Sequence, residues 1–218
     1  KKFVFSQSFL MASSTNYAKE KETAIQLATK WLDSDGWQNE QETDGCTYAA
    51  QPFPDSSINI FFGSKEFEFS PQHLSDTQWA MDGETFKAFD KDCKEWEIVE
   101  NVDDDTRVVY QRNALSWPLW HRDFVTLHHR TKLDDGSLLQ VWIAAEHDKC
   151  PEKPKDYVRG KVDIVALKMQ PLDDGKKAKV SRVVHIDPAG SLPGSLVNML
   201  AKRQVVDALN HLETVAKK

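Results

Sequence analysis

From Glu95 to Asp187 the chain is an unbroken series of strand-like segments with no helical pattern between them. This constrains the fold more than any other feature. The segments read as 95–102, 106–115, 122–133, 137–146, 156–170 and 178–187. Asp103-Asp104-Asp105, Trp117-Pro118, Asp134-Asp135-Gly136, Pro151 to Pro154 and Asp173-Asp174-Gly175 separate them, and Asp187-Pro188-Ala189-Gly190 ends the last. All of these are turn-forming sequences. Strands joined by such short links pair antiparallel, because a parallel pair needs a crossover of a dozen or more residues.

The rest of the pattern frames that series. Residues 18–34 are helical, with Ala24, Leu27, Ala28, Trp31 and Leu32 spaced by threes and fours. Strands follow at 37–42, 46–51 and 58–69, with Asp44-Gly45 as the first turn. Ser70-Pro71 then opens a helix, serine as cap and proline in the first position. A short helix is expected at 84–91. A long one closes the chain at 192–216, with Leu196, Met199, Leu200, Val206, Leu209 and Leu212 on its apolar face. The total is nine strands in an α+β chain with one antiparallel sheet. At ~1.5 Å per residue the last helix spans about 35–40 Å, long enough to cover a curved sheet. One sheet wrapped on one helix leaves space between them, and that space is where function is expected.

Composition removes several classes. Lys and Arg number 28 against 34 Asp and Glu, a net charge of −6, which disfavours binding nucleic acid through its phosphates. No apolar run reaches the ~18–20 residues of a spanning helix. Residues 1–17 read as an N-terminal extension whose short apolar stretch is broken by Ser6, Gln7 and Ser8, and 18–218 as a single domain. Cys46, Cys93 and Cys150 form no paired or metal-binding pattern, which suits a reducing cytosol. GxSxG, HExxH, GxGxxG and P-loop motifs are missing. Adjacent His128 and His129 point to opposite faces of a strand and cannot share a metal. No catalytic set, metal site or cofactor is expected.

The second half also carries a sequence pattern. Phe89-Asp90-Lys91-Asp92-Cys93-Lys94-Glu95-Trp96 is followed by Tyr110-Gln111, Trp117-Pro118 and Arg122-Asp123-Phe124-Val125. Then come Glu146-His147, Pro151, Tyr157-Val158-Arg159, Asp187-Pro188-Ala189-Gly190-Ser191-Leu192-Pro193 and Ala201-Lys202-Arg203-Gln204. In order and spacing this resembles the START domains, the steroidogenic-acute-regulatory-protein-related lipid transfer family, over about 18–217. The resemblance implies a helix-grip fold: a nine-stranded antiparallel sheet curled round the C-terminal helix, enclosing a tunnel for one lipid. It implies a non-catalytic carrier, monomeric, moving lipid between membranes through transient contact with their surface.

Candidate ligand-binding residues follow from alternation and from the resemblance. Phe124, Thr126 and His128 share one face of their strand. Arg159, Lys161 and Asp163 are charged and expected to face water, which turns Val162 and Ile164, with Val158, Gly160 and Ala166, inward. The helix contributes Leu196, Met199 and Leu200. By the resemblance Asp90, Gln111 and His128 are head-group positions; Gln111 and His128 either meet a ligand together or satisfy each other. Phe86 stands where phosphatidylcholine-binding members have arginine, and Trp142 where the ceramide carrier has asparagine, so a sterol or another weakly polar lipid is favoured. The resemblance places the entrance between Trp117, Leu119 and Trp120 on one side and Pro193 and Val197 on the other. Two other readings are an enzyme on a related grip fold with His128 as base, and a lipid-sensing regulatory module.

Overall fold

The computed structural model describes residues 17–115, 120–190 and 192–218, with the side chains of 196 and 199–203 outside the description. The expected N-terminal extension, apart from Tyr17, lies outside the described residues. Helix α1 (Ala18–Leu32) leads into β1 (Gln38–Thr43), β2 (Cys46–Pro52) and β3 (Asn59–Phe67). Helices α2 (Pro71–Trp79) and α3 (Gly83–Phe89) follow. Ser70 Oγ accepts the His73 amide at 3.2 Å with Pro71 at the first position of α2, and Asp82 caps α3 by accepting the Thr85 amide at 2.8 Å.

The long strand series comes next: β4 (Cys93–Asp103), β5 (Thr106–Asn113), β6 (Arg122–Lys132), β7 (Leu138–Ala144), β8 (Val158–Arg159), β9 (Lys161–Leu172) and β10 (Lys177–Asp187). Helix α4 (Gly194–Ala216) closes the chain. The sheet order is β1-β2-β3-β10-β9-β7-β6-β5-β4, antiparallel at every step, and the sheet curves without closing. The tenth strand, β8, is an addition to the nine expected. Gly160 breaks the expected segment 156–170 in two, and the short front piece pairs parallel with β6 through Arg122–Val158 and Asp123–Arg159.

Both faces of the sheet are packed. On the inner face Val205, Val206, Leu209 and Leu212 of α4 pack with Phe61, Val180, Val184 and Leu167. Each fully buried side chain of this kind contributes roughly 1.5–3 kcal/mol. Gly63 of β3 lets α4 come this close, since a Cβ there would lie 2.3 Å from Val205 Cγ1. On the outer face Ala24, Ala28 and Trp31 of α1 pack with Val183, Leu139 and Val141. Val183 and Val184 fall in different clusters because neighbours on a strand point to opposite faces. Among the described residues no helix is long and apolar enough to cross a membrane.

Candidate functional site

The inner face leaves a cavity beside α4, with about 230 Å³ open to the centres of water molecules. Strand β6 supplies Phe124, Thr126 and His128; β9 supplies Val162 and Val165; β10 supplies Arg182, Val184 and Ile186. Phe86, Phe89 and Asp90 close one side and Val197, Gln204, Ala208 and His211 of α4 another. Of the residues expected from sequence, Asp90, Gln111, Phe124, Thr126, His128, Trp142, Val162 and Val197 all line this space.

Ile164 does not. It is fully buried in the outer cluster, with α1. The cause is a bulge between β9 and β10: His185 pairs with Ile164, but the next residue, Ile186, pairs with Val162. Asp163 is the extra residue, and the alternation restarts with Val165 facing inward. Ala166 turns outward for the same reason. Arg159, expected in water, instead makes a forked pair with the buried Asp123, Nε to Oδ1 at 2.9 Å and Nη2 to Oδ2 at 2.8 Å. Trp117 and Leu119 lie outside the described residues, as do the side chains of Leu196, Met199 and Leu200. Trp120 is 56% exposed, and Pro193 is exposed as well.

The polar groups divide between two ends. At the first, Gln111 Nε2 donates to Asn113 Oδ1 at 2.7 Å, and Asn113 Nδ2 donates to Asp90 Oδ2 at 2.8 Å. Arg122 beside them donates to the carbonyls of Pro188 and Ala189, each at 3.1 Å, and to that of Trp120. Gln111 therefore does not meet His128. Gln111 pairs across the sheet with Phe124 and His128 with Arg107, four residues along β5. At ~3.3 Å per residue that is about 13 Å.

At the second end His128 Nε2 lies 2.9 Å from Thr126 Oγ1, and its ring centroid lies 5.1 Å from that of Trp142. Arg107, His128, Trp142 and Val165 are successive partners across β5, β6, β7 and β9. Arg182 sits over Trp142 at 5.3 Å, and Arg107 over Trp79 at 4.2 Å while donating to the Trp79 carbonyl at 2.9 Å. Burial pulls both guanidinium groups down to about 10, so they remain charged at neutral pH. Sequence reasoning overlooked both. The signal in β10 was a cation in the inward set Val180, Arg182, Val184.

Burial, with Arg107 nearby, holds His128 well below its ordinary range, so the folded protein keeps it neutral. An unfolded His takes up a proton below about pH 6.5. The unfolded chain then binds more protons than the native one, and stability falls as pH drops from 6.5. In urea unfolding at pH 7 and pH 5, His128→Gln is expected to flatten that fall by up to about 1.4 kcal/mol per pH unit. Identical slopes for the two proteins would show that His128 does not carry it.

A sequence model of the START domain matches residues 18–217. The chain belongs to the START domain family. As a START domain it is 27% identical over 192 residues to StAR-related lipid transfer protein 5 of Bos taurus, covering 85% of this chain and 88% of that one. It is 24% identical over 201 residues to the mitochondrial steroidogenic acute regulatory protein of Danio rerio, covering 90% and 69%. Among solved structures, human StAR-related lipid transfer protein 5 superimposes with a TM-score of 0.76 at 22% identity, over 91% of this chain and 95% of that one. A lipid transfer protein fragment from Xanthomonas axonopodis gives 0.70 at 22% identity, over 84% and 100%. These likenesses identify the START fold.

Proposed function

We propose that this START domain holds one lipid in the cavity beside α4 and passes it between membranes. The observation that carries the reading is the cavity itself, walled by Phe124, Trp142, Val162, Val184 and Ile186. A water needs ~10–15 Å³ of such space and ~30 Å³ of liquid, so the cavity corresponds to ~20 waters or ~500–600 Å³. That suits a lipid with one chain or one ring system and a small head, a sterol among them, better than a two-chain phospholipid. Burying several hundred Å² of apolar surface at ~25 cal/mol per Å² contributes on the order of 10 kcal/mol.

In this reading Phe124, Thr126, His128, Trp142 and Val162 contact the lipid, and Asp90 and Gln111 bound the far end. Leu196, Met199 and Leu200 complete the wall from α4, and Trp117, Leu119, Trp120, Pro193 and Val197 form the gate. Trp120 suits the bilayer interface, where an apolar ring and one N–H donor are both accommodated. The protein works as a cytosolic monomer that touches membranes transiently. An enzymatic role for His128 is disfavoured: no carboxylate bonds to its ring among the described residues, and its charged form is suppressed.

Lipid extraction and native mass spectrometry of protein purified from cells are expected to find one lipid per chain. In a liposome assay Trp120→Ala is expected to slow transfer at least about threefold with unchanged thermal unfolding. Unchanged transfer would remove Trp120 from the gate. A chain that neither carries lipid nor moves it would refute the proposal.

A further inference from the structure

The second end of the cavity concentrates unmet hydrogen-bonding capacity. Arg107 Nε, Arg182 Nε, Trp142 Nε1 and His128 Nδ1 are all buried without a partner. All four belong to residues lining the cavity. Three of them are obligate N–H donors. His128 becomes a fourth when Thr126 donates to Nε2 and the ring proton sits on Nδ1. Buried donors ordinarily have partners, and a buried unpaired cation is far costlier than a buried neutral group.

The charges of the cavity sharpen the point. Its charged lining residues are Asp90, Arg107, Arg122 and Arg182. Asp90 is at the other end, bonded to Asn113, and Arg122 spends its donors on three backbone carbonyls. Among the described residues the Arg182 side chain makes no hydrogen bond or ion pair, and the Arg107 side chain bonds only to a carbonyl. Nearby Asp76 and Asp105 are engaged by Arg130, whose own charge adds to that of Arg107. Stacking on Trp142 and Trp79 offsets only part of the cost of burying these cations. A sterol hydroxyl has two lone pairs and no charge, so it would leave most of this capacity unmet. An anion accepts from several donors at once and neutralises charge as well.

We propose that the bound lipid is a single-bodied amphiphile with an acidic head, a carboxylate or a phosphate monoester, seated among Arg107, His128, Trp142 and Arg182. The inference rests on the lipid-carrier reading and narrows its small head group to an acidic one. Arg182 and Trp142 are 5.3 Å apart and Trp142 and His128 5.1 Å, with Arg107 the next residue across the sheet, so one head group spans the set. The tail then runs past Thr126 and Phe124 toward the end that carries Arg122. Six residue steps along β6 lead from His128 to Arg122, about 20 Å at ~3.3 Å each, which matches an extended chain.

Titration calorimetry of the full chain with oleate, methyl oleate and oleoyl phosphate tests this. The acid and its ester share the tail and differ in charge. Oleate is expected to bind at least about tenfold tighter than methyl oleate, the effect of one charged hydrogen bond in a buried site. Arg182→Met and Arg107→Met are each expected to abolish most of that preference, the affinity for the acid falling much further than that for the ester. The ratio of oleate to oleoyl phosphate affinity distinguishes the two head groups. Arg182→Met is also expected to raise the thermal midpoint of the ligand-free protein by several degrees, because an unpaired buried charge is removed. Equal binding of acid and ester, or variants that keep the preference, would overturn the inference while leaving a lipid carrier intact. Binding of neither would overturn both.

Discussion

Arg159→Ala is expected to lose about 3–5 kcal/mol of unfolding free energy, the cost of leaving a buried carboxylate without its cation. Asp123 is only 2% exposed, and both its oxygens accept from the Arg159 fork, at 2.9 and 2.8 Å. Arg159 Nη2 also reaches the Cys150 carbonyl at 3.2 Å, tying the segment before β8 to β6. The bond to Asp123 pushes the Arg159 guanidinium above its ordinary range. For a chain of this size the thermal midpoint should fall by roughly 10 °C. Arg159→Lys should recover only part of the loss, since an ammonium cannot make the two parallel bonds. Urea unfolding of the three proteins is the measurement, and a loss under about 1 kcal/mol for Arg159→Ala would mean that water reaches Asp123 and supports it.

Gly160→Val is expected to weaken lipid binding roughly a hundredfold, the scale on which a few misplaced carbons act in an apolar pocket. Gly160 follows β8 directly, its amide donating to the Asp123 carbonyl at 2.9 Å. The Phe124 ring lies close against its bare Cα: a Cβ would stand 2.2 Å from Cε1 and 2.7 Å from Cζ. Any side chain at 160 must drive that ring off the wall and into the space meant for the ligand. Overpacking of this kind costs about 1–3 kcal/mol, so the variant still folds. Phe124→Leu introduced beside Gly160→Val should restore much of the affinity by giving the valine room. Binding titration with oleate or another single-chain lipid, alongside unfolding curves, separates the two effects. Normal binding by Gly160→Val alone would mean that Phe124 has somewhere else to go.

These two sites lie where the sequence was hardest to read. Local signals sufficed for most elements: Ser70-Pro71 begins α2 at the expected place, and the Asp-rich turns separate β4 from β5 and β6 from β7. Alternation was reliable along β6, which is regular through Phe124, Thr126 and His128. It failed along 158–166 because nothing in Val162-Asp163-Ile164 announces a bulge; the extra residue becomes visible only through the partner strand. The same holds for Arg159, which looks like a solvent-facing cation until β8 is found beside Asp123. Gln111 and His128 were both expected at the head group, together or satisfying each other, but their separation depends on the register of β5 against β6. Helix α1 was legible as amphipathic, yet no local pattern told that Ala24, Ala28 and Trp31 would cover the outer face. Arg107 and Arg182 break the apolar rule of the cavity wall, and only the three-dimensional arrangement shows that they break it together.

The described contacts that hold α4 join distant parts of the chain, and that has a consequence for the order in which the molecule is completed. Its later turns bury Val205, Val206, Leu209 and Leu212, engage Lys65 through Asn210 and Glu213, and meet His73 at the carbonyl of Ala216. Nearer its start Val197 is buried too, and the Asn198 side chain accepts the Asn59 amide at 2.9 Å. Lys65 and Asn210, which bond at 2.7 Å, are 145 residues apart, and non-local contacts of this kind are the slow ones to form. The cavity beside α4 thus takes shape only when the two halves of the chain have met, and a partly folded molecule has no interior to fill.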